Sequence, residues 1–189
     1  MENQEKSDHN RVYLLTFDLG TRIKLLRYVG IKTPDPSDLF FTEFKSELIR
    51  KFKNMMPTNV QIIAIDIEDL ADEILTKALE KQSLLKDAIV VSSCPEIAIP
   101  KRGYTLEINR IVDEKGNILG IGPRPGCQPI NNQINIIAST AARQPVVLIE
   151  DGVFSGKTII HILKKMEEKN ISVGTIVVGF CFPEALKNI

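Results

Sequence analysis

The chain has 189 residues, of which 43% are hydrophobic and 25% charged, and its 24 basic and 24 acidic residues balance to a formal net charge of zero. This length suits one α/β domain with a sizeable core. The charge balance gives no reason to expect a nucleic acid or an acidic membrane as a partner. No apolar tract is long enough to span a membrane, and the polar start of the chain lacks the apolar segment of a signal peptide, so we expect a cytoplasmic protein.

Cysteine and histidine are too sparse to suggest a familiar catalytic or metal site. Cys94, Cys127 and Cys181 lie far apart and form no CxxC pair, and the histidines are His9 and His161. Neither disulfides nor a zinc site are therefore expected. Ser-His-Asp and Cys-His chemistry is equally poorly supported.

The N-terminal third of the chain differs in character from the rest. Residues 1–10 are polar and charged, which predicts a disordered tail. A strand is predicted at 12–17, a proline-containing connector at 33–37, and a helix from there to about Asn54. We expect residues 11–57 to form a leading flap or hood subdomain.

Residues 58–189 are predicted to form an α/β core. An apolar run at 60–65, an amphipathic helix from about Ile67 to Gln82 and a second run at 87–92 predict a βαβ unit with parallel strands. Alternation at 104–109, a turn at 113–117 and a return at 118–121 predict a β-hairpin inserted into this core. A further helix is expected over 130–143.

The most informative stretch runs from Val146 to Thr158. Four apolar residues, Val146 to Ile149, predict a buried parallel strand, and Glu150 and Asp151 follow at its carboxyl end. The next residues offer backbone N–H groups, two hydroxyls and a lysine at the start of a helix, a combination that suits a phosphate. Carboxylates suit hydroxyl groups or a magnesium-bound sugar. Together they predict a site for a ribose 5-phosphate.

This stretch, VVLI-ED-GVF-SGKT, resembles the phosphoribosyl-pyrophosphate (PRPP) motif of the type I phosphoribosyltransferases. The resemblance implies a parallel-sheet, Rossmann-like phosphoribosyltransferase core. It also implies Mg²⁺-dependent displacement of pyrophosphate at ribose C1 by a nitrogenous base, catalysed mostly by positioning. Glu150 and Asp151 would be the catalytic pair that faces the ribose hydroxyls and could hold Mg²⁺ together with the ligand. The 5-phosphate would be bound by Gly152, Val153, Phe154, Ser155, Gly156, Lys157 and Thr158.

The sequence departs from the family pattern at two places. Phe154 stands where the purine-salvage branch has an acid, and a phenyl ring cannot move a proton, which speaks against purine salvage. The family's pyrophosphate loop corresponds here to Asp66, Ile67, Glu68 and Asp69, whose carboxylates would repel pyrophosphate unless a metal intervened. Equally, these acids could simply favour the start of a helix. Lys101 and Arg102 are basic candidates for pyrophosphate binding, or ordinary solvated residues.

Two other functions fit parts of this pattern. A P-loop NTPase needs four residues between its glycines, and Gly152 and Gly156 enclose three. A non-catalytic regulator of the same fold, which senses PRPP or a nucleotide, would also have an intact phosphate loop and an unusual pyrophosphate loop. We expect a small-molecule ligand, no nucleic acid and no membrane partner; a homodimer is left open.

Overall fold

A computed structural model describes residues 11–18, 23, 26–27, 30–33, 35, 39–95, 103–141 and 143–189 of the chain. The predicted tail at 1–10 and the candidate residues Lys101 and Arg102 lie outside the described part. The chain divides into two compact units, Met1–Asp69 and Leu70–Ile189. No helix among the described residues is both long and apolar enough to cross a bilayer.

The first unit contains a two-stranded parallel sheet and one long helix. Strand β1 (Arg11–Phe17) pairs in parallel with β2 (Val60–Asp66), and helix α1 (Leu39–Met55) connects them. Phe41 of α1 is buried, and the rings of Tyr13 and Phe52 stack at 5.9 Å. This parallel pair with a helical crossover is a βαβ arrangement.

The pairing of β2 differs from the expected one. We predicted a βαβ unit joining 60–65 to 87–92, but β2 pairs with β1. The reason is physical: an apolar run shows that a segment is a strand, whereas its partner depends on contacts distant in the chain. The predicted boundary at 57/58 stays a prediction.

The second unit is built on a four-stranded parallel sheet. Its strands are β3 (Ile89–Ser92), β4 (Gly103–Thr105), β7 (Val146–Val153) and β8 (Val173–Cys181). Their order in the sheet is β4-β3-β7-β8. Its helices are α2 (Ile67–Leu84, which begins in the first unit), α3 (Ile130–Ala141), α4 (Lys157–Glu167) and the single turn α5 (Pro183–Leu186). The predicted α/β class with a parallel sheet is confirmed, and the arrangement is compatible with a Rossmann-like core.

The core of this unit is centred on β7. Val146, Val147, Leu148 and Ile149 are fully buried, as a strand inside a parallel sheet covered on both faces should be. Each such side chain contributes roughly 1.5–3 kcal/mol relative to exposure. Val146 and Leu148 share a core cluster with residues from helices α3 and α4, namely Ile130, Ile134, Ile137, Ile162 and Met166. The strand that carries the predicted site is therefore the best-buried element of the unit.

The predicted hairpin is present, with a shifted first strand. It is formed by β5 (Ile108–Val112) and β6 (Ile118–Pro123), which are antiparallel. Residues 104 and 105, predicted to begin the hairpin, instead belong to β4, which joins the main sheet beside β3. Leu106 is fully buried, and its N–H donates to the Ser92 carbonyl oxygen (2.7 Å), so the sheet continues to this point. Burial against the core, rather than local alternation, sets where the hairpin begins.

Candidate functional site

The loop between β7 and α4 forms the centre of the candidate site. Strand β7 extends to Val153, Phe154 to Gly156 form a bend, and α4 starts at Lys157. Gly152 and Val153, predicted as phosphate-loop residues, are the buried last two residues of the strand. The side chains at or near the surface of the predicted loop are therefore those of Phe154, Ser155, Lys157 and Thr158.

Gly156 makes the sharp turn from strand to helix. It caps α4 with φ 76° and ψ −10°, a left-handed conformation that glycine adopts without steric cost. A Cβ here would lie 3.1 Å from Ile189 Cγ1 and 3.4 Å from the Ala185 carbonyl oxygen. The Asn188 side-chain amide also donates to the Ser155 carbonyl oxygen at 3.4 Å. The C-terminal segment around α5 therefore packs against the loop.

Glu150 lies at the junction of β7 and β3. It is 9% exposed, and its carboxylate contacts the hydroxyl of Ser93, which also donates to the Ile149 carbonyl oxygen at 2.7 Å. Ser93 follows directly on β3, whose carboxyl end meets that of β7 at one edge of the sheet. A buried carboxylate held in this way is a fixed acceptor for a ligand hydroxyl.

Asp151 occupies a different position from Glu150. It is half-buried, and its Oδ1 accepts a hydrogen bond from the Gly152 N–H at 2.8 Å. Consecutive residues of a strand point to opposite faces of the sheet. Glu150 lines the cleft at the loop, and Asp151 is not among the described residues that line it.

The cleft itself combines the loop with one residue of the hairpin. It is lined by residues 152–159, Glu150 and Arg110, and encloses about 10 Å³, room for a single water-sized sphere. A phosphate would therefore be held on an open rim rather than enclosed. The rim provides the hydroxyls of Ser155 and Thr158 and the ammonium group of Lys157.

Phe154 is the centre of an aromatic cluster beside this rim. Its ring is 49% exposed, stacks on Phe182 at 5.2 Å and meets the edge of Phe180 at 5.4 Å. The guanidinium carbon of Arg110 lies 5.8 Å from the centroid of the same ring. Such a cation–π contact is worth about 0.5–1 kcal/mol at an exposed site. Phe154 therefore positions a cation next to the loop.

Sequence analysis did not identify Arg110 as a site residue. Arg110 lies inside β5, opposite Ile121 of β6, and nothing in its neighbours along the chain marks it. Its place at the loop depends on how the hairpin folds back toward β7. The sequence did predict a hairpin inserted before β7. That prediction could have suggested the basic residues of the hairpin as candidates for the site.

The predicted pyrophosphate loop lies in the first unit. Asp66 forms an ion pair with Lys45, and its Oδ1 accepts a hydrogen bond from the Glu68 N–H at 3.1 Å. This is how an N-cap residue satisfies the first turn of a helix. Ile67 is 6% exposed and begins α2. These contacts support the alternative considered for Asp66, Ile67, Glu68 and Asp69, that of a helix start, and their pyrophosphate role stays a prediction.

The search for similar proteins returned no match to this chain among protein-family models, curated proteins or solved structures.

Proposed function

We propose that this chain is a phosphoribosyltransferase-like protein that binds the 5-phosphate of PRPP or of a nucleoside 5'-monophosphate at residues 154–158. One observation carries the proposal: the buried strand β7 carries Glu150 near its carboxyl end, and the chain then turns through left-handed Gly156 into α4. The turn aligns the first N–H groups of α4, which suit an anion. Lys157 and Arg110 add two cations, which favour an anionic phosphate.

The same geometry supports a role for Glu150 at the ribose. Its carboxylate lines the cleft beside the phosphate rim and is held by Ser93, so that it can accept from a ribose hydroxyl without reorganising. Because the proposed reaction passes through a positively charged ribose, a fixed carboxylate there would stabilise the transition state more than the ground state. The protein would contribute positioning and charge rather than a nucleophile.

The described acids fit a magnesium ion that arrives with the ligand better than a resident metal. No group of three or more His, Cys, Asp or Glu side chains among the described residues is arranged to hold a metal ion. Glu150 lines the cleft and is the residue that would hold Mg²⁺ together with a ligand diphosphate, whereas Asp151, predicted to share this role, is not among the described lining residues. When bound, Mg²⁺ would neutralise the charge of the departing pyrophosphate.

Phe154 and Asp66 favour a second candidate function, that of a non-catalytic sensor of PRPP or a nucleotide. Phe154 is packed among aromatic rings and cannot exchange a proton with a base. Asp66 is engaged by Lys45 and by the start of α2. Both observations are compatible with ligand binding and supply no group for the transfer reaction.

The ligand site is tested by Glu150→Gln and Thr158→Val, with PRPP and AMP affinities measured by calorimetry. Gln is isosteric with Glu, and its side-chain oxygen can still accept from the Ser93 hydroxyl, so the change isolates the charge. Each substitution should weaken binding by about tenfold or more, as expected when a charge-assisted hydrogen bond is lost. Thr175→Val, at a half-buried position near the start of β8, is the matched control and should change nothing. Unchanged affinity in both site variants would sink the proposal.

Enzyme and sensor are distinguished by turnover. Pyrophosphate release from PRPP is measured with Mg²⁺ across a panel of purine, pyrimidine and nicotinate-type bases. Release with any one base identifies a transferase. Binding of PRPP or AMP without release on any acceptor identifies the sensor.

A further inference from the structure

A second, larger groove adjoins the proposed phosphate site. It has a volume of about 310 Å³, at the lower end of the range of small-molecule pockets. It lies between the β5–β6 hairpin and α4. The residues that line it are Arg110, Ile118, Leu119, Gly120, Ile121, Ser155, Lys157, Thr158 and His161.

The two cavities meet at the phosphate rim. Arg110, Ser155, Lys157 and Thr158 line both of them, whereas Glu150 lines only the smaller one. A ligand with its phosphate on this rim could therefore extend in two directions. Its ribose would extend toward Glu150, and a second substituent on the phosphate would enter the groove.

The wall of the groove away from the rim is apolar. Ile118 and Leu119 are 47% and 68% exposed, and Ile121 lies beside them on β6. Covering side chains this exposed with an apolar ligand group removes their apolar surface from water and so favours binding. None of the described lining residues carries a carboxylate. The groove thus joins an anion-binding end to an apolar side, and this pattern fits an organic group carried on a phosphate.

His161 faces the groove one helical turn after Lys157. Burial, and then the positive charges of Lys165 and Lys164, lower its pKa, while Glu168 acts in the opposite direction. Arg110 is the cation that lines the groove across from it. The lowered pKa favours the neutral form of the ring, which presents a flat polar edge to the groove.

We propose that the groove receives an apolar or aromatic group esterified to the ligand phosphate, so that the ligand class includes 5'-phosphodiesters as well as monoesters. This inference rests on the proposed function, because the shared rim must first bind the phosphate. It goes further in assigning the hairpin face, Ile118 and Leu119, as the surface that recognises the second substituent.

The test compares three ligands that share one nucleoside: AMP, its methyl phosphodiester and its phenyl phosphodiester. Their affinities for the full chain are measured by calorimetry. The phenyl ester should bind about tenfold more tightly than the methyl ester, since it alone fills the apolar side of the groove. The double substitution Ile118→Ser and Leu119→Ser should abolish this difference and leave the AMP affinity within about twofold.

Val112→Ser is the matched control. Val112 is 52% exposed, pairs with Ile118 in the same hairpin and does not line the groove. It should leave all three affinities unchanged. Equal binding of the phenyl and methyl esters, or an equal loss of AMP and phenyl-ester binding in the double variant, would overturn the groove assignment alone. Failure of AMP, PRPP and both esters to bind would overturn the phosphate site and this inference with it.

Discussion

Gly152 shows how a single missing side chain shapes the candidate site. A Cβ at this position would lie 2.2 Å from Cζ of Phe180, so the ring fills the space above the strand. Phe180 in turn meets the edge of Phe154 in the loop between β7 and α4. The absence of a side chain at Gly152 therefore lets the aromatic cluster close over the end of β7.

Gly152→Ala should destabilise the protein and disturb the loop. The clash with Phe180 should lower the free energy of unfolding by about 1–3 kcal/mol, the usual cost of overpacking. Urea unfolding measures this change. Gly120→Ala is the control, because a Cβ there meets nothing within 4 Å.

A second variant removes the Phe180 ring, the proposed cause of the clash. Phe180→Leu combined with Gly152→Ala should cost less than the sum of the two single changes, because the clash is then relieved. Additive losses would show that Phe180 is not what Gly152 accommodates.

His161 should make stability depend on pH around neutrality. Its pKa in the folded protein is lowered, first by burial and then by Lys165, so the unfolded chain binds a proton more readily than the folded one. The stability that the neutral His161 ring contributes is therefore fully present above about pH 6.5, the pKa of histidine in the unfolded chain. It is lost as the pH falls through the lower pKa of the folded protein. Between pH 7.5 and 5.5 the urea midpoint of the wild type should fall further than that of His161→Gln.

Comparing the wild type with His161→Gln removes most of what other titratable groups contribute to the pH dependence. His9 and all carboxylates are retained in the variant, so their titration cancels in the difference. Equal decreases in the two midpoints would show that His161 does not contribute.

The side chain of Asp113 holds the turn of the β5–β6 hairpin. Asp113 accepts hydrogen bonds at Oδ1 from the Lys115 N–H (2.9 Å) and the Asn117 N–H (2.8 Å), and at Oδ2 from the Asn117 side-chain amide (2.8 Å). The Asn117 side chain is the main cause of the lowered pKa of Asp113. This turn holds the register that places Arg110 opposite Ile121.

Asp113→Ala should loosen the turn, and Asp113→Asn should largely preserve it, because an asparagine oxygen can still accept from backbone N–H groups in an Asx-turn. Amide hydrogen exchange at Asn117 measures the difference. Exchange should be faster in the Ala variant than in the Asn variant. The same rate in both would show that the carboxylate oxygens do not hold the turn.

Elements with strong local patterns were predicted well. The helix expected from Ile67 to Gln82 is α2, Ile67–Leu84, and the helix expected over 130–143 is α3, Ile130–Ala141. The first strand of the hairpin was misplaced because residues 104–105 alternate in polarity as an exposed strand would, yet pair with β3. Alternation indicates a strand but does not say which sheet it joins.

At the scale of the whole molecule, the division into Met1–Asp69 and Leu70–Ile189 makes a prediction about fragments. Residues 67–189 contain α2 to α5 and the complete four-stranded sheet. We expect this fragment to unfold cooperatively on heating, as followed by circular dichroism. A gradual change without a transition would contradict this.

A fragment of residues 58–189, which begins at the predicted boundary, tests whether β2 depends on β1. It keeps β2 but removes β1, its parallel partner. Amides at 61–65 should be protected from exchange in the full chain and unprotected in this fragment, because a strand without its partner has no ladder. Continued protection would mean that β2 has a partner in the rest of the chain, as the sequence pattern first suggested.

The sequence alone determined the order of the local features at the candidate site: a buried strand from Val146, two acids, and a loop leading into a helix at Lys157. Hydrophobic runs, helix periodicity and glycine conformations are encoded by neighbours along the chain, so they can be recognised without coordinates. The tertiary structure decided that β2 pairs with β1, that Ser93 holds Glu150, and that Arg110 lies over Phe154. These are contacts between residues 40 to 60 positions apart, and they depend on how whole elements pack, which no local pattern specifies.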